Sequence, residues 1–202
     1  MKTLTKTLFA AALTAVVLTS SALTTFAAEP IKTETTSSLS TINKIWVSGN
    51  VKIVLTQGDK QNIVGTDNYD SVQTSVIGKG QTLYINSMAS GQVTINITLK
   101  DLQRVEAYGQ AVVVTSNNFD VKYLQLFVNQ NATAKIKTTA GSLYTVVTDN
   151  AVLKLNGTAD QSTMIASNSK NLKVTGFASL KSEQFASEKI MAADRSAMTL
   201  SK

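Results

Sequence analysis

From Ile42 onward the chain is written in short runs in which apolar and polar residues alternate, the pattern of a strand with one buried and one wet face. Such runs fall at 44–47, 51–56, 62–65, 71–77, 82–86 and 92–99. Turn signals separate them: Ser48-Gly49-Asn50, Gln57-Gly58-Asp59, Asp67-Asn68, Gly78-Lys79-Gly80 and Ser90-Gly91. Thr, Val and Ile dominate the runs, as a half-buried pleated surface prefers. No window long enough for a helix combines helical period with caps, so the class is all-β.

The second half aligns with itself. Val128-Asn-Gln-Asn-Ala132-Thr-Ala134-Lys-Ile136 returns 19 residues later as Val147-Thr-Asp-Asn-Ala151-Val-Leu153-Lys-Leu155, and 19 later again as Ala166-Ser-Asn-Ser-Lys170-Asn-Leu172-Lys-Val174. An earlier copy, offset by 21, starts at Ala107, and a last one, offset by 26, starts at Ala192. Three columns stay largely apolar: Ala107, Val128, Val147, Ala166 and Ala192; Val113, Ala134, Leu153, Leu172 and Met198; Thr115, Ile136, Leu155, Val174 and Leu200. Between the two strands of each copy lies a turn that carries Gly109, Gln130, Asp149, Asn168 or Asp194, where tolerance of positive φ is useful. Lys170 breaks the small-residue column of Ala111, Ala132 and Ala151.

A strand–turn–strand unit of this length cannot bury its apolar face alone, and stacked copies supply the core. Stacked turns also let polar side chains hydrogen-bond along the stack. The same grammar occurs once earlier, with Val47 matching Ala107, Val51 matching Ala111, Ile53 matching Val113 and Leu55 matching Thr115. The expected architecture is a short right-handed parallel β-helix, or solenoid, over 101–202, preceded by a strand-rich, hairpin-like part over 42–100. Together they form one domain, 42–202.

The first residues are an export signal. Lys2 and Lys6 precede an apolar stretch too short to span a bilayer, which leads to Thr25-Phe26-Ala27 with small residues at the −3 and −1 positions. A signal peptide over 1–27 and a flexible Thr/Ser-rich leader over 28–41 follow. The chain has no cysteine, which excludes disulfides, thiol catalysis and lipoprotein acylation. The expected location is the periplasm or the cell surface. Without Lys2 and Lys6 the formal charge falls from +6 to +4, 17 basic against 13 acidic residues. These are scattered along the sequence with no run longer than a pair such as Lys135 and Lys137, which argues against nucleic acid as a partner.

Histidine is also absent, which removes the commonest general base and zinc ligand. The acids are mostly single and lie beside turns, among them Asp101, Asp120, Asp149, Asp160 and Asp194. Asp67-Asn68-Tyr69-Asp70 lacks the spacing of a calcium loop and reads as an ordinary turn. No catalytic residue, cofactor or metal site is expected. The alternative class is a polysaccharide lyase or hydrolase built on turn residues such as Asp149, Asn168 and Arg195.

The stretch Ile42-Asn-Lys-Ile-Trp-Val-Ser-Gly-Asn-Val-Lys-Ile-Val-Leu-Thr-Gln-Gly58 resembles the opening signature of the auto-transporter adhesin head GIN domain family, and Thr82-Leu83-Tyr-Ile-Asn86 and the segment from Val105 to Val113 fit its order of elements. The resemblance covers about 42–200 and implies an exported bacterial protein with a β-solenoid-like fold and no catalytic residues. The turns depart from the family's Ser-Gly-Ser-Gly type in being rich in Asn and Asp. The function that follows is a non-catalytic binding or adhesion module for polysaccharide or an envelope protein.

Alternation places Tyr123, Phe127 and Tyr144 on the face opposite Leu124, Leu126, Leu143 and Val147, where an aromatic strip can stack on sugar rings. Trp46, between Ile45 and Val47, reads as at least partly core. Met198 and Leu200 lie in the last copy, whose edge is expected to mediate self-association or docking onto an envelope partner.

Overall fold

The computed structural model describes residues 41–66 and 68–186; the expected signal peptide, all but the end of the expected leader, Asp67, Ala192, Asp194, Arg195, Met198 and Leu200 lie outside the described residues. Among the described residues twelve strands follow one another: β1 (Lys44–Gly49), β2 (Val51–Gln57), β3 (Asn62–Gly65), β4 (Thr74–Lys79), β5 (Thr82–Ser87), β6 (Val93–Leu99), β7 (Arg104–Ala107), β8 (Val112–Thr115), β9 (Phe119–Val128), β10 (Thr133–Val147), β11 (Val152–Ala166) and β12 (Leu172–Ala186). A 3-10 turn, Ser169–Asn171, is the only helical element among the described residues. It falls where Lys170 breaks the column of small residues.

The strands form one open, curled, mixed sheet in the order β3-β6-β2-β8-β10-β9-β7-β1-β5-β4, with β11 on β10 and β12 on β11. The long strand β10 sits at the bend of the curl. Its first part pairs with β8 and its second with β9, so the sheet folds into two walls. One wall holds β5, β1, β7, β9 and the later parts of β10, β11 and β12. The other holds β6, β2, β8 and the earlier parts of those long strands. Inward residues of both walls make one apolar core, including Ile45, Val47, Ile53, Leu55, Leu126 and Leu153.

The register bears out most of the expected columns. Ala107 pairs with Val128, Val128 with Val147 and Val147 with Ala166, and all four are buried. Val47 pairs with Ala107, Ile53 with Val113 and Leu55 with Thr115, as the early copy predicted. The fourth step differs: Ala166 pairs with Ala186, not with the expected Ala192. The partner strand takes an extra residue at a bulge opposite Lys154 and Asn156, so its register moves from an offset of 19 (Lys154 to Lys173) to 20 (Asn156 to Gly176).

The sheet is mixed, where the repeats predicted a parallel solenoid behind a hairpin-like part. β3 pairs antiparallel with β6, and β4 antiparallel with β5 through a turn at Gly80, φ 58. The hairpin expectation holds only for β4 and β5. β5 and β6 themselves run parallel to β1 and β2, pairing Val47 with Ile85, Ile53 with Ile95 and Leu55 with Ile97. They are a further copy, hidden in the sequence by the longer link from Met88 to Gln92.

Turns stack as the strands do. Gly49, Gly109, Gln130 and Asp149 have φ of 88, 67, 60 and 57, a left-handed position repeated in four copies, whereas the equivalent Asn168 is extended at φ −133 and opens the 3-10 turn instead. At Gly49 the demand is absolute, since a Cβ there would run into the Ser87 carbonyl oxygen. Gln130 and Asp149 tolerate it because their side chains accept hydrogen bonds along the stack: the Gly109 N–H donates to Gln130 Oε1 (2.6 Å) and the Gln130 N–H to Asp149 Oδ2 (3.1 Å). Thr148 Oγ1 donates to Asn129 Oδ1 (2.8 Å), and Asn150 Nδ2 to Asn131 Oδ1 (3.4 Å).

Candidate functional site

Because side chains alternate across a strand, each inward column has an outward neighbour, and on the wall of β5, β1, β7 and β9 that neighbour is aromatic. Tyr84 pairs with Trp46, Trp46 with Glu106, Glu106 with Phe127, Phe127 with Val146 and Val146 with Ile165. One column over, Lys44 pairs with Arg104, Arg104 with Gln125 and Gln125 with Tyr144. Tyr108 and Tyr123 flank the two columns.

Two ring clusters result. Trp46 lies between Tyr84 and Tyr108, with centroids 6.1 and 5.5 Å away. Phe127 lies 6.0 Å from Tyr144 and is covered by the Arg104 guanidinium at 5.1 Å, an attraction of cation for ring face. Arg104 joins the clusters. Its Nε donates to Gln125 Oε1 (2.8 Å) and its Nη1 to Glu106 Oε1 (3.2 Å) in the only salt bridge among the described residues. Tyr108 Oη donates to Glu106 Oε2 (3.2 Å). Burial, then the charge and hydrogen bond of Glu106, push the Tyr108 hydroxyl above its ordinary pKa, while Arg104 pulls against them. Glu106 is therefore held by two partners and leaves the band without a free charge at its centre.

Tyr123, Phe127 and Tyr144 stand on the outward face that alternation predicted, Tyr123 at 57% exposure. Tyr123 and Tyr144 line one open hollow of about 300 Å³ together with Lys44, Gln103, Arg104, Gln125 and Ser142, and Phe127 adjoins it through Tyr144. Trp46 was expected to be at least partly core; it is half-buried, but on the outward face. Its packing on two tyrosines, not the core, covers the ring. Arg104, Glu106 and Gln125 were not singled out from the sequence. The match of Val47 to Ala107 carried the signal, since it forces Trp46 outward beside residue 106.

Three of the turn acids are occupied locally. Asp149 accepts from Gln130 and Thr148, Asp101 from Gln103 Nε2 (2.8 Å), and Asp70 from the Val72 N–H (2.8 Å). Among the described residues no three acidic side chains come together as metal ligands would. No helix among them is long and apolar enough to cross a membrane.

A family model, "Putative auto-transporter adhesin, head GIN domain", matches residues 41–187. Among solved structures, a putative adhesin from Bacteroides fragilis aligns with TM-score 0.62 at 18% identity, over 73% of this chain and 74% of that one. A putative adhesin from Parabacteroides distasonis aligns with TM-score 0.63 at 17% identity, over 74% and 76%. A putative lipid binding protein from the same species gives 0.52 at 14% identity, again over 74% and 76%. These likenesses show the fold. A search of curated proteins finds no match.

Proposed function

The chain belongs to the auto-transporter adhesin head GIN domain family, and from that premise we propose that it is an exported, non-catalytic binding module that takes polysaccharide on its aromatic wall. In this reading the parallel strands are coils of a short right-handed solenoid, and its outer wall displays the ligand-facing rings. The observation that carries it is the band itself: six aromatic side chains, Tyr84, Trp46, Tyr108, Phe127, Tyr144 and Tyr123, laid across adjacent strands of one wall.

A sugar ring presents axial C–H groups on its faces and hydroxyls on its rim. Ring faces of Tyr and Phe cover the C–H groups, and amide, guanidinium and hydroxyl groups take the rim. The hollow at Tyr123 and Tyr144 offers both kinds of group within one site, with Gln125 and Arg104 already fixed by their mutual hydrogen bond. Its polar rim suits a glycan better than an acyl chain. Association through Met198 and Leu200, with a second copy or an envelope protein, belongs to the same proposal.

Trp46 is the only tryptophan, so its fluorescence reports the band directly. Titration with a panel of neutral polysaccharides is expected to shift that emission, and the double variant Tyr123→Ala, Tyr144→Ala to abolish tight binding. No response from any glycan, or binding that survives the double variant, sinks the assignment. Release of sugar products, lost on changing Asp149, would make the protein the lyase or hydrolase of the alternative reading.

A further inference from the structure

The opposite wall has the contrary chemistry. Its outward residues on the earlier parts of β10, β11 and β12 include no aromatic and no acid. They include three lysines in register: Lys135 pairs with Lys154, and Lys154 with Lys173. Their inward neighbours Ala134, Leu153 and Leu172 are buried, so all three side chains leave the wall on its outer face. Lys137 adds a fourth cation on the same strand and face as Lys135. Scattered in the sequence, these charges are gathered by the 19-residue spacing of the copies.

Like charges directly opposite on adjacent strands disfavour the sheet. None of the four is in an ion pair among the described residues, where the sole salt bridge is on the other wall. Thr133 and Asn156 beside the row supply uncharged hydrogen-bonding groups. A row so arranged spans two strand spacings, about 10 Å, in single file across the strands.

We infer that the lysine row Lys135–Lys154–Lys173 binds a linear acidic polysaccharide, whose carboxylates or sulfates lie along the row. Single file fits a chain that carries acidic groups at regular intervals. The absence of aromatic side chains from this face disfavours single-stranded nucleic acid, which needs rings to stack on. The site is separate from the aromatic band and independent of its ligand.

The test is affinity electrophoresis of the purified protein through gels containing polygalacturonate at a series of salt concentrations. Retardation is expected, weakening steeply as salt rises because counterions are released on binding. The triple variant Lys135→Gln, Lys154→Gln, Lys173→Gln is expected to lose affinity by about tenfold or more. A triple change of Lys60, Lys79 and Lys100 to Gln removes equal charge from exposed positions elsewhere and is expected to keep it. Lys154→Gln alone, the middle of the row, should give an intermediate loss, and a triple change to Arg should retain binding, so a fold defect in one variant does not decide the result. The change Tyr123→Ala with Tyr144→Ala should leave retardation intact, which separates this site from the aromatic one. Absence of retardation at low salt, or equal loss in the two triple Gln variants, overturns the inference. So does tighter row-dependent binding to phosphatidylglycerol vesicles or single-stranded DNA than to polygalacturonate.

Discussion

At β1, β7 and β9 one inward column of the aromatic wall reads Ile45, Val105, Leu126; at β10, β11 and β12 the same column reads Thr145, Met164, Gln184. Its neighbour runs Leu124, Leu143, then Ser162, Ser182, the last two hydroxyls bonded at 3.0 Å. One register thus carries an apolar interior at the front of the stack, then buried Thr145 and Ser162, and ends at the back in the exposed Ser182 and Gln184. The front is also closed by antiparallel β3 and β4, whose Ile63 and Val76 are buried. Repetition fixes where a side chain points. It does not fix how much that position contributes, and the front should hold the fold while the back opens locally at lower cost.

The largest expected effect tests that contrast in the core. Leu126→Ala should destabilise the protein by about 3–4 kcal/mol, the transfer and cavity cost of a fully buried leucine. Ser162→Ala, in the polar part, should cost within about 1 kcal/mol, since it removes one hydroxyl pair. Urea denaturation measures both. Equal losses would show that the stack behaves as one cooperative block with no weak end.

Backbone geometry sharpens the comparison next. Gly49 at the front and Gly157 further back share positive φ, 88 and 109, and a Cβ at either would strike a carbonyl of the next strand, Ser87 or Thr138. Gly→Ala at each should cost about 2 kcal/mol or more through strain. Local opening at the back should cap the cost of Gly157→Ala below that of Gly49→Ala. Gly80→Ala, with φ 58 but open space around it, should cost about 1 kcal/mol. Melting curves of the three variants rank them, and a larger loss at Gly157 than at Gly49 breaks the gradient.

Legibility from sequence follows the same division. Columns such as Val47, Ala107, Val128, Val147 and Ala166 could be read because small and branched apolar residues recur at nearly constant offsets. The copy at β5 and β6 was masked by its longer turn, and the last step, to Ala186, by a bulge that offset arithmetic cannot foresee. Tyr123, Phe127 and Tyr144 were placed by alternation alone. The full band was missed because its members lie on strands distant in sequence, and only the pairing of β5, β1, β7 and β9 brings Tyr84, Trp46 and Phe127 into line. Lys135, Lys154 and Lys173 fall in one column of the aligned copies, but only the strand pairing sets the three side by side on one face.

Two buried threonines offer a finer test. Thr145 Oγ1 is buried with no hydrogen-bond partner, whereas Thr138 Oγ1 donates to the Phe119 carbonyl at 2.8 Å. Thr145→Val should therefore stabilise the protein by up to about 1 kcal/mol, and Thr138→Val destabilise it by about 1 kcal/mol. Calorimetry of the two variants is sufficient. Stabilisation at Thr145 would show that the polar turn of the core column weakens the back of the stack; loss of stability there would mean that the hydroxyl has a role the packing does not reveal.

The smallest expected effect is confined to the front wall and appears only at alkaline pH. Burial, followed by the charge and hydrogen bond of Glu106, raises the Tyr108 pKa above its ordinary value of 10.0. The stability this group contributes is present in full below the unfolded value and is lost as pH rises through the higher folded value. Trp46, 5.5 Å from the Tyr108 ring, reports the event, because a phenolate quenches a neighbouring indole. Quenching should have its midpoint above 10, and Glu106→Gln should move it down by removing the charge, though not fully, since burial is the larger cause. A midpoint that Glu106→Gln leaves in place would detach Tyr108 from the Arg104–Glu106 link that joins the two ring clusters.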